Sequence, residues 1–595
     1  MLNSLKNVRS PWRALADFEV PQFLRAQVRA RESSLALLAA VIGAAAGLVV
    51  AVMSSCVGAL HALFFAVPAG EELSTLAALN PIAAVAVPTV GGLAFGLATL
   101  ALTRRRPLRE IDPIEANALH GGRMSLTGSL SVALQTVWSS GVGASVGLEA
   151  GYTQLASGVA ATFGRAFRLR RRDLRILVGC GAAGAIAGAF GAPLAGAFYA
   201  FELVIGSYSV MSLAPVAVSA LVGYLVANAF DPVSLGVGTL YVSHVTARDL
   251  VMASAIGIAA AGAGIAIMRS VALTETLFTW LPMPSYARPA LGGLFVGLLA
   301  LVTPRILSSG HGAIHMAAML NSPLRDVAIL FALKALASVV SLGAGFRGGL
   351  FFASLLLGTL GGRLFADVLS ALLPALSLDP QVYAIIGMGA LSVSVIGGPL
   401  TMTFIVLETT GDLWLTTAVL VAVVISAQVT RETFGYSFAT WRFHLRGESI
   451  RSATDVGWIR ELTVRRMMRP DMRTVPAHTT VGRFRMVYPL GSTAHVVAMD
   501  EDKDYAGMVI VAEAHASELD ENTPLRDILH QSDAMLLPTM TVKEALVVFD
   551  KAEAEALAVV HSTESRRVIG LLSEAYALRR YSEQLELRRR ELVGE

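Results

Sequence analysis

Between Ser33 and Thr103 the chain carries only two charged residues, Glu71 and Glu72. A run that poor in charge cannot form the surface of a water-soluble domain. It leaves room for two helices of about 20 apolar residues, the length that crosses the hydrocarbon. Further apolar stretches follow near 125–164, 176–206, 211–230, 251–268, 289–303, 327–346, 349–362, 383–407 and 413–430. Several are short or broken by Gly and Pro. Membrane depth tolerates broken helices only where they are buried in protein or line a wet cavity. The prediction is therefore an all-α polytopic membrane protein built around a pathway.

Charge divides the chain in two. Residues 451–595 hold 42 of the charged side chains (47 Lys+Arg and 44 Asp+Glu in all), which leaves 49 for the first 450 residues. The front is a membrane domain and the back a soluble one. At 15% charged residues and a net charge of +3, the composition excludes an ordinary cytosolic enzyme, a disordered chain and a basic nucleic-acid binder. No nucleic-acid partner is expected. Cys56 and Cys180, both in apolar runs, exclude a disulfide scaffold. No Ser/His/Asp, metal-ligand or phosphate-loop spacing occurs, and His120 beside Gly121 and Gly122 reads as a loop residue. Neither an enzyme nor a metal site is expected.

Residues 1–32 are too charged for a signal peptide. Two basic clusters, Arg104/Arg105/Arg106/Arg109 and Arg165/Arg168/Arg170/Arg171/Arg172/Arg175, mark the cytoplasmic side by the positive-inside rule. They put the N-terminus and the soluble tail in the cytoplasm of a cell whose inner membrane, a lipid bilayer, holds the rest.

The membrane part repeats itself. Residues 139–149 read SSGVGASVGLE and residues 341–351 read SLGAGFRGGLF. At an offset of 202, Gly141, Gly143, Gly147 and Leu148 fall on Gly343, Gly345, Gly349 and Leu350. Residues 191–202 (GAPLAGAFYAFE) and 397–408 (GGPLTMTFIVLE) match at an offset of 206, which pairs Glu202 with Glu408. Repeats with Gly/Pro-broken helices in corresponding places point to a transport protein whose site lies where the repeats meet.

Three acids stand alone in apolar surroundings. Glu149 is the only charge between Arg123 and Arg165, Glu202 between Arg175 and Asp231, and Glu408 between Asp379 and Asp412. An ionised carboxylate at membrane depth is costly unless paired or hydrated, which makes such residues functional candidates. For Glu202 and Glu408, late in their apolar runs, a helix-end acid at the water interface is an equal alternative. Glu149 follows Gly-rich backbone and opens a helix-like run. A helix N-terminus attracts anions through unpaired N–H groups and the dipole. A carboxylate there stands in the anion's place until it is protonated and swings away.

At these residues the chain resembles the CLC family of chloride channels and anion/proton exchangers. The family's gating segment G-[R/K]-E-G-P matches Gly147-Leu148-Glu149-Ala150-Gly151 at the Gly and the acid. Its G-x-F-x-P segment is similar to Gly349-Leu350-Phe351-Phe352-Ala353, with Ala in place of Pro. GAPLAG at 191–196, GGPLT at 397–401 and GYSFATWRFHLRGE at 435–448 also match. The resemblance implies inverted repeats and a homodimer with one pathway for inorganic anions per subunit. It implies Glu149 as gate, anion contacts from Gly147, Glu149, Ala150, Phe351 and Phe352, and a hydroxyl from Tyr436. Two departures stand out. The family's G-S-G-I-P motif falls on Arg109-Glu110-Ile111-Asp112-Pro113, so Glu110 and Asp112 alter the entrance. Family exchangers commonly carry an inner, proton-loading Glu where this chain has Leu203, next to Glu202, a candidate for a proton pathway.

The domain layout expected is an N-terminal segment 1–32, a membrane domain 33–446 with repeats at about 33–230 and 247–446, a linker 447–461 and a tail 462–595. In the tail, 475–511 and 537–574 both read as strand, helix, strand, turn, strand, and resemble a tandem pair of CBS domains. Such pairs often bind adenine nucleotide through Ser/Thr-x-x-Asp. Here Ser573 is followed at that spacing by Tyr576, and the first unit offers Glu513, so a structural or dimerising tail without cofactor is favoured. The function expected is a gated chloride channel. A proton-coupled antiporter, a homologue with altered ion selectivity and a transport-dead sensor are the alternatives.

Overall fold

The structure, a computed structural model, describes Pro21 and residues 32–68, 70–105, 110–230, 246–313, 323–445, 462–502 and 504–593. Nearly all of the N-terminal segment 1–32, Arg106, Arg109 and the whole linker 447–461 lie outside the described residues. The chain forms two compact units, Met1–Asp455 and Val456–Glu595.

The first unit is helical. Its first repeat runs through α1 (Glu32–Phe65), α2 (Pro81–Arg105), α3 (Pro113–Leu119), α4 (Leu126–Gly141), α5 (Glu149–Ala166), α6 (Arg171–Phe190), α7 (Pro193–Tyr199) and α8 (Val210–Phe230). The second contains α9 (Ala247–Trp280), α10 (Arg288–Ala300), α11 (Leu324–Gly343), α12 (Phe351–Leu372), α13 (Pro380–Ile396), α14 (Pro399–Thr410), α15 (Leu413–Thr433) and α16 (Phe438–Leu445). Among the described residues eight helices are long and apolar enough to cross a membrane. Others, such as α7, α13 and α14, are too short to cross alone, which is the broken-helix architecture the sequence predicts.

The two sequence offsets reappear as geometry. The loops before α5 and α12 meet in an antiparallel bridge: the Gly147 N–H donates to the Gly349 carbonyl at 3.0 Å, and the Gly349 N–H returns the bond at 3.1 Å. Flanking this bridge, the Ser145 N–H donates to Ser341 Oγ (2.9 Å) and the Arg347 N–H to Ser139 Oγ (3.1 Å), a second reciprocal pair. The helices before the matched prolines, α6 and α13, end on Gly191 (φ 66°) and Gly397 (φ 91°), in the left-handed region that favours glycine. Pro193 and Pro399 then occupy the first helical position, where a missing N–H loses nothing.

A third reciprocal pair disposes of two of the lone acids. Glu202 accepts the Leu400 and Thr401 N–H groups, both at 2.9 Å, and the Thr401 hydroxyl at 2.7 Å. Glu408 accepts the Leu194 and Ala195 N–H groups at 2.8 and 2.9 Å. Each carboxylate thus caps the opening turn of the other repeat's helix. Both oxygens of Glu202, the candidate for a proton pathway, thus accept backbone donors that a helix opening leaves without intrahelical partners.

In the second unit, β1 (Thr474–Pro476) pairs parallel with β2 (His495–Met499), which pairs antiparallel with β3 (Tyr505–Ile510). A short helix, Val481–Val487, connects β1 to β2. The second half repeats the plan: Leu536 bridges parallel to Val559 in β4 (Ala556–Val560), a helix at Val542–Ala552 connects them, and β4 pairs antiparallel with β5 (Val568–Ser573). The two halves share a core in which Val497, Tyr505 and Met508 meet Ala556, Ala558 and Val560. This is the element order expected of a CBS pair.

Removing one reciprocal cap leaves two helical N–H groups without acceptors. Glu202→Ala is expected to destabilise the detergent-solubilised protein by about 2 kcal/mol, the scale of a lost charged cap. Glu202→Gln, which keeps one acceptor oxygen, should lose about half as much. Thermal unfolding of the two variants checks the order; equal melting temperatures for all three proteins would show that the caps carry no stability.

Candidate functional site

The bridge between Gly147 and Gly349 brings the openings of α5 and α12 face to face, and Glu149 stands between them. Its carboxylate Oε1 accepts the Phe351 N–H at 2.6 Å. That amide is the first of α12, where the helix presents free N–H groups and the positive end of its dipole. The side chain is buried, 6% exposed. The two glycines make room for it. A Cβ at Gly147 would fall on Glu149 Oε2, and one at Gly349 would fall on Oε1 and lie 2.8 Å from Cδ.

One face of Glu149 opens on a cavity of about 150 Å³. Ala150, Thr153, Gln154, Tyr199, Leu203, Phe351 and Phe438 contribute to its walls, together with the charged residues Glu110, Asp112, Arg347 and Arg442. Glu110 forms an ion pair with Arg347. Asp112 accepts the Ile114 N–H at 2.8 Å and so caps α3. Leu203, next to Glu202 in sequence, is also in the wall. Away from this cavity, the Lys334 side chain is fully buried and donates to the Ile306 and Ser308 carbonyls at 3.0 and 2.9 Å. Ser338, one turn on from Lys334, bonds Ser145 Oγ at 3.0 Å.

The sequence-derived candidates separate in the structure. Glu149, Ala150 and Phe351 come together as expected. Gly147 does not offer an amide to an anion, because its N–H is committed to Gly349. The Phe352 ring stacks on Phe190 with centroids 4.3 Å apart and meets His311 at 4.9 Å; Phe352 is not in the cavity wall. Tyr436 is also absent from the wall, with its ring against Phe434 and Trp441. The phenol in the wall belongs to Tyr199, whose ring is tilted against Phe351 with centroids 6.1 Å apart. Glu110 and Asp112 both reach the cavity, and Glu110 is neutralised by Arg347, with Arg109 outside the described residues. Arg347, Tyr199 and Lys334 were not singled out in the sequence. Lys334 had a signal of the same kind as the acids, being the only charge between Asp326 and Arg347.

Since a Cβ at position 349 takes the place of the Glu149 carboxylate, Gly349→Ala is expected to expel that side chain from the Phe351 N–H. An experimental structure of the variant grown in bromide should show the carboxylate moved and halide at the vacated amide. A Glu149 carboxylate still bonded to Phe351 would mean that the two glycines do not define its position.

The family model described as voltage gated chloride channel matches residues 91–431. The voltage-gated ClC-type chloride channel ClcB of Salmonella dublin is 30% identical over 403 residues, 66% of this chain and 95% of that protein. The fold is similar to that of a slow cyanobacterial Cl-/H+ antiporter, with a TM-score of 0.61 at 22% identity over 69% of this chain and 98% of the other. A eukaryotic CLC transporter aligns with a TM-score of 0.57 at 18% identity over 93% of this chain and 98% of its own, so that the likeness extends into the second unit.

Proposed function

The chain belongs to the voltage-gated chloride channel (CLC) family, and from that premise we propose that it passes chloride or a related inorganic anion through each subunit of a homodimer, with Glu149 as the gate. The observation that carries the proposal is the Glu149 carboxylate on the Phe351 N–H at the start of α12. A helix N-terminus of this kind binds anions, and here a tethered anion fills it. Protonation removes the charge that holds the side chain there, and a permeant anion takes its place. Alongside Phe351, the neighbouring Ala150 and the Tyr199 hydroxyl contribute contacts. This is transport rather than chemistry on a substrate.

We favour a passive channel. The wall beside Glu149 offers Leu203, which cannot carry a proton, at the position of the exchangers' inner acid. The second reading, an anion/proton antiporter, is favoured by the fold neighbour described as a Cl-/H+ antiporter. The basic residues that follow α2 and join α5 to α6 support an inner membrane orientation with the N-terminus and the tail in the cytoplasm.

For the tail we propose a structural or dimerising role without adenine nucleotide. A cleft of about 700 Å³ between its two halves is lined by Glu513, Glu553 and Glu555 and by no Lys or Arg among the described residues. The one basic group there, His495, is held below the usual imidazole range by burial and stays neutral near pH 7. Glu513 is bonded to His530 at 2.6 Å, and the carboxylates of Glu553 and Glu555 repel a nucleotide's phosphates. Titrating ATP into the full-length protein should therefore give no saturable heat; a saturable signal would overturn this role.

Two liposome measurements test the membrane part. Glu149→Gln, which mimics the protonated gate, should raise chloride flux over wild type and flatten its dependence on pH. If flux and pH dependence stay as in wild type, Glu149 is not the gate. A chloride gradient should move few or no protons uphill through wild type. Steady proton uptake at a fixed ratio to chloride would establish the antiporter instead.

A further inference from the structure

The inverted repeats are matched in backbone but not in charge. Arg347 of the second repeat corresponds to Ser145 of the first, and the backbone N–H of each donates to a serine of the opposite repeat. The Ser145 hydroxyl turns to Ser338 and is fully buried. The Arg347 guanidinium instead enters the cavity beside Glu149, where it is 29% exposed and its partner Glu110 24%. A cation so largely withdrawn from water is stable only with an anion beside it.

The backbone that carries this guanidinium is pinned. Its N–H is held by Ser139 Oγ, and two residues on, Gly349 closes the bridge to Gly147. A Cβ at the intervening Gly348 would lie 2.6 Å from Val146 Cβ and 2.9 Å from the Gly147 carbonyl oxygen. Four residues beyond Arg347 is Phe351, whose N–H holds Glu149. One short segment thus supplies two anion-seeking groups in series, a guanidinium and a helix-opening amide, and each is occupied by a carboxylate of the chain.

We propose that Arg347 is an anion-binding site of the pathway and that Glu110 is its built-in occupant, a second gate in series with Glu149. The inference rests on Glu149 marking the pathway. An incoming anion displaces Glu110 from Arg347 in an exchange that leaves the number of paired charges unchanged. Arginine suits this task, because its planar fork binds a carboxylate and a small anion with the same N–H groups and its charge does not titrate. The other charged groups facing the pair are Asp112, Glu149 and Arg442, with the Tyr199 hydroxyl. Asp112 caps α3 and the Arg442 guanidinium lies over the Phe438 ring, 5.9 Å from its centroid.

The test titrates chloride calorimetrically into purified full-length wild type, Glu110→Gln, Arg347→Gln and the double variant. With its competitor gone, Glu110→Gln should bind chloride roughly tenfold more tightly or better, a change of about 1.4 kcal/mol. The gain should vanish in the double variant, since the site itself is then missing. An unchanged or weaker affinity in Glu110→Gln, or a gain that survives loss of Arg347, overturns the proposal. Glu110→Ser is made in parallel. If neither Glu110 variant stays monodisperse, the ion pair is a structural brace and the proposal is wrong. The flux of Glu149→Gln separates this result from the reading beneath it. Raised flux in Glu149→Gln without tighter binding in Glu110→Gln removes the second gate and keeps the pathway. Tighter, Arg347-dependent binding without flux keeps the site and removes transport.

Discussion

Two hydrogen bonds between Gly147 and Gly349 hold the center of the membrane unit together. They join the two Gly-rich segments that lead into α5 and α12. From this bridge the α5 and α12 openings take their positions, and with them the Phe351 amide and the Glu149 carboxylate. Ser139 and Ser341 reinforce the bridge by receiving the amides of Arg347 and Ser145. Irregular backbone at membrane depth would otherwise expose unpaired polar groups, each worth several kcal/mol. Here the amides of Gly147, Gly349, Ser145 and Arg347 are each answered by a group of the other repeat.

Backbone symmetry is combined with charge asymmetry. Lys334 corresponds at the 202 offset to Val132, and Arg347 to Ser145. Val132 is in the wall of the cavity that Arg347 enters, whereas Lys334 is buried against the Ile306 and Ser308 carbonyls and Ser145 against Ser338. The two basic side chains therefore meet different surroundings, one partly exposed in the cavity and one sealed against carbonyls. A scaffold symmetric in backbone thus carries unlike polar surroundings in its two repeats.

Much of this was legible in the sequence, because the signals were relational. The offsets of 202 and 206 depend on pairs of Gly, Pro and Leu that chance does not align twice, and both reappear as reciprocal hydrogen bonds. Glu149 was legible from its isolation and the glycines before it. The fates of Glu202 and Glu408 were not, since a lone acid in an apolar run looks the same whether it serves a pathway or caps a helix from the other repeat. Tyr436 came from a matching segment, but which phenol enters a cavity depends on packing, and Tyr199 entered instead. Arg347 was hidden by the match that revealed its neighbours: glycines aligned around it and the residue between them went unweighed.

The crossed caps of Glu202 and Glu408 have a consequence for how such a fold is assembled. Neither repeat contains the carboxylate that completes its own Pro-led helix. A polypeptide consisting of one repeat alone would keep two orphan N–H groups at the start of that helix and an uncompensated acid at the end of it. Both deficits are met only when the two repeats lie against each other, so that the two glutamates tie the completion of each repeat to the presence of the other.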